Sequence, residues 1–302
     1  MSDPAAAGSR CGYVALVGAP NVGKSTLLND LVGTKVSIVS PKVQTTRRRV
    51  LGITVKDEAQ LVFVDLPGIF APERPLERAM VQAAWQGAEE ADIAVLVVDA
   101  ERGIDKNTRR VLDGMTKLSR PCLLAINKLD KVAATTVLPL IQELNAIRPF
   151  EDTFLVSALK GDGTKDLLQA LFARLPDGPW LFPADQLSDL SDRQMAAELT
   201  REKIFHKLHQ EVPYSITVET EAWAEGEGDV RIDQTIYVMR DSQKAIVLGK
   251  GGRQIKEIGQ LARAELETLL GKRVHLFLFV KVRENWTDDP ERYRELGLDF
   301  PG

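Results

Sequence analysis

Gly18-Ala19-Pro20-Asn21-Val22-Gly23-Lys24-Ser25 sets two glycines, a lysine and a hydroxyl at the spacing G-x-x-x-x-G-K-[ST], and Thr26 follows. An apolar, β-rich run (13–18) leads in, and Leu27, Leu28 and Leu31 continue with helical period. Strand, loop and helix in that order are the context that makes the pattern a P-loop. The glycines let backbone N–H groups converge on phosphate oxygens, and the helix N-terminus adds partial positive charge. In such a loop Lys24 reaches the β- and γ-phosphates and the Ser25 hydroxyl binds Mg²⁺.

Three further clusters follow, each at the end of an apolar run. Asp65-Leu66-Pro67-Gly68 closes "QLVFVD" and can supply a carboxylate toward Mg²⁺ and the Gly68 N–H toward a γ-phosphate. Alone D-x-x-G is a common turn; downstream of a P-loop it reads as a γ-phosphate sensor. Asn127-Lys128-Leu129-Asp130 closes "PCLLAIN". A carboxylate there accepts from the N1–H and exocyclic amine of guanine, a donor pair adenine lacks, so the wrong purine would leave a buried acid unpaired, which is costly. Ser157-Ala158-Leu159 closes "TFLVS" and fits a loop backing the base.

The elements that must hold these clusters alternate. Strands are expected at 13–18, 60–65, 92–99, 121–127 and 153–157, with helices near 24–32, 79–89, 104–117, 134–147 and 164–174. Continuous apolar strands separated by helices predict an α/β, mostly parallel sheet covered on both faces. Such sheets bind ligands beyond the carboxyl ends of their strands, where all four clusters fall.

A second glycine-lysine stretch lies at 249–259, "GKGGRQIKEIG". It fails both phosphate-loop templates because Gln254 stands where each needs another residue. What remains is G-x-x-G, Gly249-Lys250-Gly251-Gly252, backed by Ile255, Ile258, Ala262, Leu266 and Leu269 at helical spacing. Around it the pattern gives a helix near 191–210, strands at 214–223 and 230–239, and a third strand at 273–283. That order resembles a type II KH domain, a smaller α+β module whose loop clamps single-stranded RNA backbone. Lys244, Lys250, Arg253 and Lys256 would supply charge around the glycines. Across 241–283 nine Lys/Arg stand against four acids, inside a chain of net charge -4, and a local reversal of sign is what backbone binding needs. The boundaries expected are a nucleotide-binding domain at 1–178, a proline-rich linker at 179–190 and an RNA-binding domain with a C-terminal tail at 191–302.

Composition narrows the rest. Cys11 and Cys122 have no metal or disulfide spacing, which fits reduced thiols in the cytoplasm. Of the three histidines, His206 and His209 could share a helix face, but no acidic or cysteine set completes a metal site. The longest apolar run is far too short to span a bilayer, so a transmembrane segment is not expected.

Phosphate, metal, base and base-support motifs in this order resemble the GTPase superfamily of P-loop proteins. The resemblance implies a first switch at 40–50, "SPKVQTTRRRV", with a threonine that ligates Mg²⁺; Thr46 is favoured and Thr45 is the alternative. It also implies a glutamine after D-x-x-G to orient water. Ile69 stands there, so slow turnover without a partner or monovalent cation is expected, and Asn21 matches an asparagine that holds potassium in some such GTPases. With "GAPNVGKST", "QTTR", "NKLD", "LGKGGRQIKEIG" and the tail "ENWTDDPERYRELG", the chain closely resembles the Era family of bacterial GTPases, grouped here as Era/TrmE-type. It departs at Leu66, where D-T-P-G is usual. The resemblance implies GTP and GDP as ligands, Mg²⁺ and possible use of K⁺, binding to the 3′ end of 16S rRNA, assembly of the small ribosomal subunit, and peripheral contact with the inner membrane. Rival readings are an ATP-using P-loop enzyme, a passive RNA binder with a structural nucleotide site, and a related GTPase acting on the large subunit or on tRNA modification.

Overall fold

A computed structural model of the chain describes residues 8–208, 212–284 and 289–300. It divides into two units: Met1–Ser37, Thr46–Asp189 and Tyr293–Gly302 form the first, and Ile38–Thr45 with Leu190–Arg292 the second.

The first unit runs β1 (Arg10–Val17), α1 (Lys24–Val32), β2 (Val50–Lys56), β3 (Ala59–Asp65), α2 (Pro75–Glu90), β4 (Ile93–Asp99), α3 (Lys106–Met115), β5 (Cys122–Asn127), α4 (Ala134–Ile147), β6 (Thr153–Leu155) and α5 (Thr164–Ala173). Its sheet has the order β2-β3-β1-β4-β5-β6, antiparallel only between β2 and β3. The apolar runs are continuous because both faces are buried. Val14, Leu16, Val95 and Val97 point into one core, and Ala15, Val17, Leu96 and Val98 into the other. From β1 the chain builds outward in both directions, so β1 ends at a topological switch point, and the P-loop follows it there.

Sequence periodicity did not reveal β2. It follows directly on the basic first-switch segment and joins β3 through a turn at Asp57, whose φ is 52°. The proline-rich stretch after α5 has neither helix nor strand, yet it is tied down. The buried Gln60 side chain accepts from Leu181 N and Phe182 N and donates to Phe182 O at 2.7 Å. Ile53 N donates to Leu187 O at 2.9 Å, and Leu51 N to Asp189 Oδ1 at 2.9 Å.

The second unit contains α6 (Asp192–Lys207), β7 (Thr217–Glu225), β8 (Asp229–Val238), α7 (Asp241–Leu248), α8 (Arg253–Leu270) and β9 (Arg273–Val282). Its sheet order is β7-β8-β9, with β7 antiparallel and β9 parallel to β8. Ser191 and Gln194 form a capping box that starts α6. The expected helix to 210 ends instead at Lys207, and His209 lies outside the described residues. The short α7 before the glycine turn was not expected. Of the apolar row predicted behind that turn, Ile258, Ala262 and Leu266 are buried, whereas Leu269 is exposed. Among the described residues no helix is long and apolar enough to cross a membrane, and no group of His, Cys, Asp and Glu could hold a metal ion. Cys11 and Cys122 are free and buried.

Candidate nucleotide site and RNA interface

The predicted nucleotide motifs converge at the carboxyl ends of β1, β3, β5 and β6. In the P-loop, Ala19, Val22 and Lys24 are buried. Lys24 Nζ donates to the carbonyls of Gly18 and Ala19 at 3.2 and 3.1 Å, closing the loop on itself. Burial lowers its pKa to about 8, against the opposing pull of Asp65. Gly23 has φ +100°, and a Cβ there would stand 2.3 Å from Asn127 Nδ2, so only glycine fits.

Asp65 is fully buried at the end of β3. Its Oδ2 accepts from Ser25 Oγ at 2.6 Å, Ser37 Oγ at 2.9 Å and Thr46 Oγ1 at 3.3 Å. Ser25 and Thr46 hydroxyls are themselves 3.0 Å apart. Asp65 Oδ1 has no hydrogen-bond partner among the described residues. Burial pushes this carboxyl above its usual range, and Lys24 and the three hydroxyls pull the other way. One buried carboxylate with a spare oxygen beside two hydroxyls fits Mg²⁺, which takes few protein oxygens and completes its shell with water and phosphate. Ser25, Thr46 and Asp65 are the residues that would hold it. The Thr45 hydroxyl points elsewhere, to Ser40 Oγ at 2.6 Å and Lys42 O at 2.7 Å. Sequence reasoning missed Ser37, which carries no motif.

Beyond Asp65, Leu66 and Pro67 are buried, and Ile69 N donates to Gly18 O at 3.1 Å. The Ile69 side chain is sunk in the core and cannot orient water. In the first switch Arg47 is buried, so that basic run is not simply a solvated loop; Arg49 pairs with Glu90 at 3.8 Å.

At the base-side loops, Asn127 Nδ2 donates to Val22 O at 2.9 Å and its Oδ1 accepts from Ala158 N at 3.0 Å. Lys128 takes φ 67° and donates to Asn21 O at 2.7 Å and to Asp99 Oδ2 at 2.6 Å. Asp99, buried at the end of β4, was also missed, although its place at a strand's carboxyl end was a legible signal. Asp130 is exposed, not buried as the purine argument assumed. The Ser157 hydroxyl donates to Asp130 Oδ1 at 2.6 Å, which holds this carboxyl below its usual range. Leu129 packs on the core, and Leu159 is 78% exposed beside the base loop.

In the second unit, Gly249, Gly251 and Gly252 all have positive φ. A Cβ at Gly249 would stand 2.6 Å from Gln254 Cβ. The turn joins α7 to the 18-residue α8, whose N-cap Gly252 offers no side chain. The leading backbone N–H groups of α8 and its dipole therefore face whatever approaches the turn. Lys250, Arg253 and Lys256 are exposed around it, and Lys244 is half-buried on α7.

Fold and sites together define a P-loop GTPase followed by a KH domain. Residues 13–128 match the family described as 50S ribosome-binding GTPase, and residues 211–287 match the KH domain family. The chain is 60% identical to GTPase Era of Mesorhizobium japonicum, over 96% of this chain and 94% of that one. It is 56% identical to GTPase Era of Afipia carboxidovorans, over 100% and 98%. Two solved structures superpose with TM-score 0.90 at 44% identity: a variant of Aquifex aeolicus Era bound to GDP·AlF4⁻ (95% of this chain, 99% of that one), and Era with MgGDPNP and nucleotides 1506–1542 of 16S ribosomal RNA (96% and 99%). The chain belongs to the GTPase Era family. The broader Era/TrmE grouping is set aside, because these relatives carry the Era name alone.

Proposed function

We propose that the chain binds and hydrolyses GTP with Mg²⁺, grips the 3′ end of 16S rRNA through its KH domain, and acts as a nucleotide-controlled assembly factor for the small ribosomal subunit. The carrying observation is the pairing of an Asp65–Ser25–Thr46 metal corner with a positive-φ glycine turn set in basic residues. In this reading the P-loop backbone and Lys24 cradle the phosphates and position the γ-phosphoryl group. Thr46 and Gly68 close on it, and Asp130 accepts from the guanine edge. With Ile69 buried, water is positioned by something other than that side chain, and a potassium ion held at Asn21 is the candidate. The related structure with 16S rRNA nucleotides supports the RNA assignment. That the RNA in the related structure is 16S favours the small subunit over the large-subunit and tRNA readings. Peripheral membrane contact is not part of the proposal.

The test is a competition between GTP and ATP, followed by RNA affinity with GDP and with a non-hydrolysable GTP analogue. Preference for GTP and unequal RNA affinities are expected. Equal uptake of ATP would remove the guanine assignment, and equal RNA affinities would remove the nucleotide control.

A further inference from the structure

The outer face of β9 carries a row that neither the P-loop nor the glycine turn uses. Even-numbered Leu276, Leu278, Val280 and Val282 pack inward, so odd-numbered side chains point away from the helices. Arg273 and Lys281 are exposed at the ends of that row; between them His275 is half-buried and 3.2 Å from Asp229 Oδ2, and Phe277 and Phe279 are 45% and 51% exposed. On neighbouring β8 the Arg231 guanidinium lies 4.8 Å from the Phe277 ring centroid and is held there by Asp233 at 3.0 Å. Arg283 sits 4.7 Å over the Tyr237 ring. From 272 to 283 there is no acidic residue, and the two acids of β8 beside the row, Asp229 and Asp233, are paired with His275 and Arg231.

Two adjacent exposed phenylalanines on an edge strand are a liability unless something covers them. The row reads Arg273, His275, Phe277, Phe279, Lys281: two neighbouring rings between basic ends, which suits a polyanion whose bases offer flat faces. Neighbouring rings on one strand face are about 6.6 Å apart, room for one unstacked base on each. Aromatic side chains on an open sheet are how other single-strand RNA modules take bases. Position supports the same occupant: α7 and α8, which the glycine turn joins, both pack on β9. A strand leaving the turn has only to cross the free edge of β9 to reach the row. A KH turn clamps only about four nucleotides, whereas the RNA in the related structure spans nucleotides 1506–1542.

We propose that the outer face of β9 is a second single-stranded RNA contact, with Phe277 and Phe279 each stacking a base and Arg273 and Lys281 meeting phosphates. The inference rests on the RNA-binding reading above and extends it to a face that reading leaves bare.

The experiment measures binding of the full chain to two RNAs: a single strand of about six nucleotides, enough for the clamp, and the segment 1506–1542. Replacing both rings (Phe277→Ala with Phe279→Ala) should weaken the long RNA by about 5- to 150-fold per ring, the range of one stacked base. The short RNA should be unaffected. Phe279→Tyr should keep long-RNA affinity near the wild type, and Lys250→Glu should weaken both RNAs. Unchanged long-RNA affinity in the double variant, with Lys250→Glu impaired, overturns the second contact and leaves the KH reading standing. A double variant that holds both RNAs yet loses the small subunit also overturns it, in favour of a protein partner. A wild-type chain that binds neither RNA overturns this inference and the RNA reading together.

Discussion

Asn127 and Val22 are joined across the switch point of the sheet: the Asn127 amide donates to the Val22 carbonyl at 2.9 Å while its oxygen accepts from Ala158 N at 3.0 Å. One buried side chain thus ties the phosphate loop to both base-side loops. Asn127→Ala leaves the Val22 carbonyl and the Ala158 N–H unpaired in the interior, a cost of about 2–3 kcal/mol. Urea unfolding should register that loss, and GTP affinity should fall at least about tenfold as the two loops lose register. Wild-type values for both would remove the coupling role.

Asp130→Asn should move purine preference from guanosine toward xanthosine nucleotides, because the amide can donate to the oxygen that replaces the guanine amine. The Ser157 hydroxyl holds the Asp130 carboxyl below its usual range. As pH falls, the Asp130 carboxylate therefore stays charged, and the preference for GTP over ATP, which cancels titrations at the shared phosphate and metal site, should be flat down to about pH 5. Ser157→Ala should move the onset of any acid loss upward. Competition assays with GTP, XTP and ATP across pH check both statements.

Thr46 and Thr45 separate cleanly. Thr46 Oγ1 stands 3.0 Å from Ser25 Oγ, at the metal corner, while Thr45 Oγ1 bonds within its own turn. Thr46→Ala should weaken the Mg²⁺ dependence of binding to a non-hydrolysable GTP analogue, and Thr45→Ala should leave it unchanged. Titrating Mg²⁺ against each variant decides; the reverse pattern would reassign the ligand.

The four nucleotide clusters were legible because each sits where a buried strand ends, and strands buried on both faces announce themselves as unbroken apolar runs. Ser37 was not legible, since its hydroxyl meets Asp65 only through the path of a loop. The strand β2 was hidden by the basic run before it. The helix α7 was hidden for a different reason: only Val247 of its residues is buried, too little to print a helical period. The exposure of Asp130 was beyond reach, because a motif fixes what a residue can bond and not how deeply it lies.

Lys42 carries the last prediction. The chain passes from the second unit to the first between Thr45 and Thr46. Within the second unit, Lys42 Nζ caps the end of α6 by donating to the carbonyls of Phe205 and Leu208. Glu202 Oε1 accepts from Val39 N at 2.7 Å, and Arg201 donates to the Thr45 carbonyl. The half of the switch before Thr46 is therefore seated on the KH unit, and the next residue is the one that faces the metal corner. The seat of 38–45 and the residue at the metal corner are thus joined through the Thr45–Thr46 peptide bond, and any coupling of nucleotide to RNA affinity that passes through it would be reciprocal. Lys42 is only partly buried, and Lys42→Ala removes a cap without opening a core. In the wild type, RNA affinity should differ by about 5-fold or more between GDP and a GTP analogue. In Lys42→Ala that ratio should shrink toward one, while GTP affinity in the absence of RNA stays within about twofold. A variant that keeps the full ratio would mean the coupling does not pass through this segment.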